Sequence, residues 1–291
     1  MKRKIYQVDA FTDTPFGGNP AGVVPDADGL SEAQMQVLAR EMNLSETAFV
    51  FPGGAGYDYA LRFFTPTEEV DLCGHATIAA FHLLRELDCL PPGRETLKQK
   101  TGAGILDITL LSGGGILMRQ AAPQRLQRFE SSEDLAAVMG CAPTAIGIPG
   151  VLAGPEIWST GLPDILLPMA SLEALRQLTP VMEPLAEYSR SLGVTGVHAF
   201  ALSAEGQLFC RNFAPACGIP EEAATGTSNG ALGACLAFHG YNGGEGLALT
   251  VRQGDWMGRP SRIQVTVQPE TQAVWVGGQA VTVLGGEILL P

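Results

Sequence analysis

The chain has 291 residues, 46% of them hydrophobic, and its 30 acidic side chains outnumber 18 basic ones to give a formal net charge of -12. With no basic cluster beyond Lys2-Arg3-Lys4, this balance excludes nucleic-acid or anionic-membrane binding through bulk electrostatics. The length suits two domains of roughly 100–200 residues each, with enough apolar material for two cores.

The first expected helix starts at Ser31. Ser31 and Gln34 have capping-box spacing, Met35, Leu38, Ala39 and Met42 form an apolar stripe, and the helix ends near Asn43. Thr47–Phe51 and Tyr57–Phe64 read as strands, the second by its alternation. The helix from Gly74 to Leu87 is apolar nearly all round, which predicts burial on most sides. Strands at Ile105–Leu111 and Gly115–Met118 close the first half, taken as residues 1–120, and Ala121–Pro123 crosses to a second half at 121–291. There, strands are expected at Ala199–Ser203, Gln207–Phe213, Leu247–Arg252, Ile263–Gln268 and Ala273–Val276, with a second apolar helix opening at Gly226. The last strand, near Ala280–Leu284, is free to return to either half.

The 6 cysteines (73, 89, 141, 210, 217, 235) form no CxxC pair and no Cys/His run at zinc-finger spacing. Neither a disulfide framework nor a metal is expected, and a reducing cytoplasm is. Gln7, Asp9 and Asp13 leave no h-region for a signal peptide. The longest uncharged stretches, 135–155 and 223–244, are broken by Pro143 and Pro149 or studded with Gly, Thr, Ser and Asn, so no membrane span is expected.

One unit occurs twice. Arg62-Phe63-Phe64-Thr65-Pro66 precedes Cys73-Gly74-His75-Ala76-Thr77, and Arg211-Asn212-Phe213-Ala214-Pro215 precedes Thr225-Gly226-Thr227-Ser228-Asn229, about half a chain apart. Each copy reads as a strand, a loop and a Gly that opens a helix. If the halves face each other, two helix N-termini converge on a cleft suited to an anionic substrate.

Within this pattern, Cys73 reads either as a thiolate favoured by the helix dipole, hence base or nucleophile, or as a small core residue. His75 reads as a proton carrier or a first-turn cap. Glu46, between the first helix and an apolar strand, reads as a half-buried carboxylate with a raised pKa suited to moving a proton on carbon, or as a surface acid. Glu221 and Glu222 read as solubilising loop charges. Gly17-Gly18-Asn19-Pro20-Ala21-Gly22 is neither GxGxxG nor a Walker loop and gives no warrant for a nucleotide.

Four ordered motifs then carry a resemblance: Val8-Asp9-Ala10-Phe11 with Phe16 to Val23; Ser45-Glu46-Thr47-Ala48-Phe49; Arg62-x-Phe64-Thr65-Pro66 with Cys73 to Thr77; and Gly218-Ile219-x-Glu221 with Ala224-Thr225-Gly226. Between residue 5 and about residue 240 the chain resembles the phenazine biosynthesis PhzF-like isomerases. The resemblance implies an α+β fold of the diaminopimelate epimerase type, two pseudo-symmetric halves each with a curved sheet or barrel around a central helix. It implies a homodimer and cofactor-independent chemistry, with Glu46 as acid/base and His75 in support. It also implies substrate contacts at Asn19, Ser45, Cys73, Gly74, Thr225, Gly226 and Thr227.

Where the family usually reads Glu-Asp-Pro, this chain reads Glu221-Glu222-Ala223, so the resemblance implies that Glu222, with an extra methylene, takes the place of an aspartate that assists catalysis, helping His75 in protonation and orientation. The more distant epimerases use two facing cysteines. Here the second position is Thr225, too weak an acid for symmetric two-base racemisation. The expected activity is thus one-base isomerisation of a small carboxylate or cyclic amino acid. The alternatives are a Cys73-led epimerase, dehydratase or thiol hydrolase, and a non-catalytic protein that binds a small anionic metabolite.

Overall fold

The computed structural model describes residues 2–241, 246–268 and 270–290. The chain divides into two compact units, Met1–Arg119 with Gly277–Pro291, and Gln120–Val276. Among the described residues, no helix is long and apolar enough to cross a membrane.

In the first unit, strand Lys2–Ala10 lies antiparallel to both Asn19–Val24 and Ala280–Leu289. Asn19–Val24 then runs parallel to Thr47–Gly54, which is antiparallel to Tyr57–Phe64. Tyr57–Phe64 pairs in parallel with Thr96–Thr101, and Gly104–Leu110 and Ile116–Arg119 follow antiparallel. Two helices pack on these strands. Helix α1 (Glu32–Met42) carries the expected capping box at Ser31 and Gln34, and Asn43 ends it in the left-handed conformation at φ 50°. Its Met35, Leu38 and Ala39 pack with Phe49 and Phe64, whose rings meet edge to face at 5.4 Å, a geometry worth about 1 kcal/mol beyond burial. The alternation in Tyr57–Phe64 therefore breaks at its end: Phe63 and Phe64 are both buried, because helices cover both faces of the sheet.

Helix α2 (Gly74–Glu86) buries nine of its residues, His75 through Phe81 with Leu83 and Leu84. It touches strands Lys2–Ala10, Asn19–Val24 and Thr47–Gly54, and also Ile116–Arg119 and Ala280–Leu289, the two ends of the strand series. Strands curled around a helix bury it in this way. Ahead of Asn19 the chain turns tightly at Gly18 (φ 60°), where a Cβ would lie 2.1 Å from the Ala10 carbonyl oxygen.

The second unit repeats this topology. Pro163–Pro168 is parallel to Gly196–Leu202, which is antiparallel to Leu208–Ala214. Leu208–Ala214 is parallel to Leu247–Gln253, and Ser261–Val267 follows antiparallel. Helices α3 (Glu133–Met139), α4 (Leu172–Arg176) and α5 (Met182–Leu192) carry leucines of an apolar core that includes Leu135, Ile165, Leu175, Leu185 and Phe213. Helix α6 (Gly226–Phe238) is the counterpart of α2. It buries ten residues and packs on Glu156–Ser159, Pro163–Pro168, Leu247–Gln253 and Ser261–Val267. Gly233 permits that approach, since a Cβ there would sit 2.5 Å from Val265 Cγ1.

The duplicated arginines are structural forks. Arg62 Nε donates to Glu69 Oε1 (2.6 Å) with its guanidinium over the Phe64 ring. Arg211 donates from Nε and Nη2 to Glu221 (2.8 and 2.9 Å), lies 4.7 Å from the Phe213 ring centre, and bonds the Leu175, Arg176 and Leu178 carbonyls at the end of α4. Glu221, read from the sequence as a solubilising charge, is thus half of a partly buried ion pair.

Candidate active site

The turn between α1 and strand Thr47–Gly54 delivers Ser45 and Glu46, and the start of α2 delivers Cys73, Gly74 and His75. The structure brings four of these side chains together. His75 Nε2 lies 3.3 Å from Ser45 Oγ and 3.3 Å from Glu46 Oε2, and Cys73 Sγ lies 3.4 Å from His75 Nδ1. Burial lowers the His75 pKa against the upward pull of Glu46, so the imidazole is neutral at physiological pH. Only 17% of the Glu46 side chain is exposed, and its Oε2 is buried with no hydrogen-bond partner among the described residues. The 3.3 Å approach to Nε2 meets the distance limit of an ion pair without closing a hydrogen bond.

Asn19 is buried at the head of the strand beside Thr47–Gly54, three residues before Gly22, whose amide donates to the Glu46 carbonyl (3.0 Å). Cys73 precedes α2 in extended conformation (φ -140°, ψ 120°), and Thr225 precedes α6 likewise (φ -122°, ψ 109°). Neither side chain caps its helix, so the N-terminal turns opened by Gly74 and Gly226 are left without a side-chain cap from the preceding residue. In the second unit Glu222 and Thr225 meet, Thr225 Oγ1 lying 3.1 Å from Glu222 Oε2. Thr227 turns its carbonyl to Thr160 Oγ1 (3.0 Å).

Among the described residues, two groups hold metal-type ligand atoms within 4.8 Å of one another: Glu46, Cys73 and His75, and Glu156, Cys235 and His239. In the first, Glu46 faces Nε2 while Cys73 lies nearer Nδ1 than Nε2, so no single imidazole lone pair addresses both. In the second, Glu156 already accepts from Arg125 (3.0 Å), Trp158 (2.8 Å) and His239 (3.1 Å), and the guanidinium repels a cation.

Sequence reasoning missed a buried polar chain behind Thr225: Gln253, Asn229, His198, Asn212, Ser228 and Asp164. Ser228 and Asn229 fall inside the repeated motif, which was the available signal. His198 and Asp164 lie on apolar strands where nothing local marks them.

The family model for phenazine biosynthesis-like proteins (PhzC-PhzF) matches residues 8–286. The chain belongs to that family. It is 36% identical to an uncharacterized isomerase of Clostridium acetobutylicum over 99% of each chain. It is 31% identical to a PhzF-family phenazine biosynthesis protein of Bacillus anthracis, whose crystal structure superposes with a TM-score of 0.89 over 100% of both chains. A hydroxyproline epimerase of Agrobacterium vitis, 12% identical, shares the fold at a TM-score of 0.64, covering 99% of this chain and 92% of its own. The α+β epimerase-type fold implied by the motifs is the fold of this chain.

Proposed function

We propose that this PhzF-family protein is an isomerase that moves a proton on a small carboxylate or cyclic amino acid without a cofactor, with Glu46 as general acid/base. The observation that carries the proposal is the buried, unpartnered Glu46 Oε2 beside a neutral His75. Glu46 takes a proton from a carbon acidified by neighbouring unsaturation and returns it at a conjugated position. A neutral imidazole can give a proton from one nitrogen as it receives one at the other, so His75 can support Glu46 in either protonation state. The amides opening α2 are candidates for holding a substrate carboxylate; for Glu222 and the amides opening α6, the assisting and substrate-contact roles are those that the family resemblance implies. Family membership and the isomerase names of its relatives support this reading.

A second reading gives the leading role to Cys73, favoured by its 3.4 Å approach to His75 Nδ1, the contact of a thiol with a base. Two variants separate them. Under the first reading Glu46→Gln loses turnover, by the 10²–10⁴-fold or so that general-base removal costs, while folding normally, and Cys73→Ala keeps substantial activity. The reverse pattern would hand the chemistry to the thiol.

A further inference from the structure

Gln253 ends the strand Leu247–Gln253 and is 1% exposed. Its amide spends its whole hydrogen-bonding capacity on one turn of chain. Nε2 donates to the Glu222 carbonyl (2.8 Å) and to Thr225 Oγ1 (3.1 Å), while Oε1 accepts from the Thr225 amide (3.3 Å) and from Asn229 Nδ2 (2.9 Å). A backbone carbonyl only accepts and a backbone N–H only donates, so the main chain at Glu222 and Thr225 dictates which end of the amide is oxygen. Oγ1 of Thr225, having accepted from Gln253, has its own proton to give. Glu222 Oε2, 3.1 Å away, receives it.

The same logic runs away from the loop. Asn229 Nδ2 also donates to the Thr225 carbonyl (2.8 Å), which turns Asn229 Oδ1 toward His198 Nε2 (3.3 Å). Nε2 must therefore carry the imidazole proton. Nδ1 then accepts from Asn212 Nδ2 (3.2 Å), which also donates to Ser228 Oγ (3.2 Å), and the Ser228 hydroxyl donates to Asp164. From Asp164 to Gln253 every side chain is at most 2% exposed. Reversing any one member sets donor against donor or acceptor against acceptor and strands a buried group without its hydrogen bond.

We infer that Gln253 is a positioning residue: it aims the Thr225 hydroxyl at the Glu222 carboxylate and holds that carboxylate in one accepting orientation. The inference rests on the proposed assignment of Glu222 to the site. It is tested by NMR on the full-length, ¹³C,¹⁵N-labelled protein at neutral pH. In wild type, His198 is expected as the Nε2–H tautomer. Gln253→Met and Thr225→Val should each shift the Glu222 carboxylate ¹³C resonance, the double variant should shift it no further than the larger single change, and Thr225→Ser should restore it. An unmoved Glu222 resonance in Gln253→Met, or two shifts that add, would overturn the inference. So would an Nδ1–H tautomer of His198 in wild type, a result that does not depend on any variant folding. Failure of the functional assignment looks different: Glu222→Gln would then leave proton exchange on carbon unchanged while the coupling through Thr225 persisted.

Discussion

Asp164 and His198 belong to one buried chain yet bias stability with pH in opposite directions. Burial raises the Asp164 pKa from 3.8 to about 6, against hydrogen bonds from Ser228 and Gly196 that lower it. Burial lowers His198 from 6.5 to about 4, partly offset by its bond to Asn229. For Asp164 the folded value lies above the unfolded one, so its stabilising contribution is present at acid pH and lost as pH rises through about 6. For His198 the folded value lies below the unfolded one, so its contribution is present above 6.5 and lost as pH falls toward about 4. At roughly 1.4 kcal/mol per unit, each displacement is worth about 3 kcal/mol, and the two slopes nearly cancel in the wild type. Asp164→Asn, which keeps the shape and an acceptor for Ser228, removes one of them. Relative to wild type, the variant should lose about 3 kcal/mol between neutral pH and about pH 4, and His198→Gln should gain a similar amount over the same range. Urea unfolding of the three proteins across that range, with m-values compared, reads both differences. A difference between Asp164→Asn and wild type that does not change with pH, or that grows in the variant's favour on acidification, would refute the reasoning.

Two further outcomes follow from the packing. Gly233→Val should cost about 1–3 kcal/mol in urea unfolding, because the new side chain meets Val265 within the core of the second unit; an unchanged midpoint would mean that α6 can move away at no cost. Arg211→Lys should destabilise by about 2 kcal/mol, since a lysine cannot fork to Glu221 and also serve three carbonyls. Arg62→Lys, at a pair whose side chains are 33% and 37% exposed, should cost less than about 1 kcal/mol, and denaturation of the two side by side checks the ranking.

Much of the architecture is legible in the sequence because its signals are local. The Ser31–Gln34 capping box, the apolar runs after Gly74 and Gly226, and the repeat that opens at Arg62 and Arg211 each specify an element from neighbouring residues, and each element forms there. The gathering of Ser45, Glu46, Cys73 and His75 is also legible, through motifs whose members lie about thirty positions apart but recur in fixed order. Non-local pairings are not. The final strand had two possible destinations because nothing in its own residues names Lys2–Ala10 as its neighbour. Strand Thr96–Thr101, rich in lysine and threonine, alternates its burial perfectly but carries too few apolar residues to stand out. Glu221 and Glu222, adjacent and chemically alike, read by their own context as loop charges, and only the family resemblance separated Glu222; strand pairing sends one to Arg211 and the other to Thr225. The chain from Asp164 to Gln253 draws one polar residue from each of four strands and two, Ser228 and Asn229, from one helix, and only the sheet register assembles it.

The most direct test of Glu46 as the acid/base is deuterium uptake from heavy water, followed by NMR, for a panel of small amino acids and cyclic dihydro-hydroxy amino carboxylates, with wild type beside Glu46→Gln. Incorporation of deuterium at carbon, or migration of a double bond, by wild type alone is the expected result. Equal incorporation by a folded Glu46→Gln protein would contradict the account.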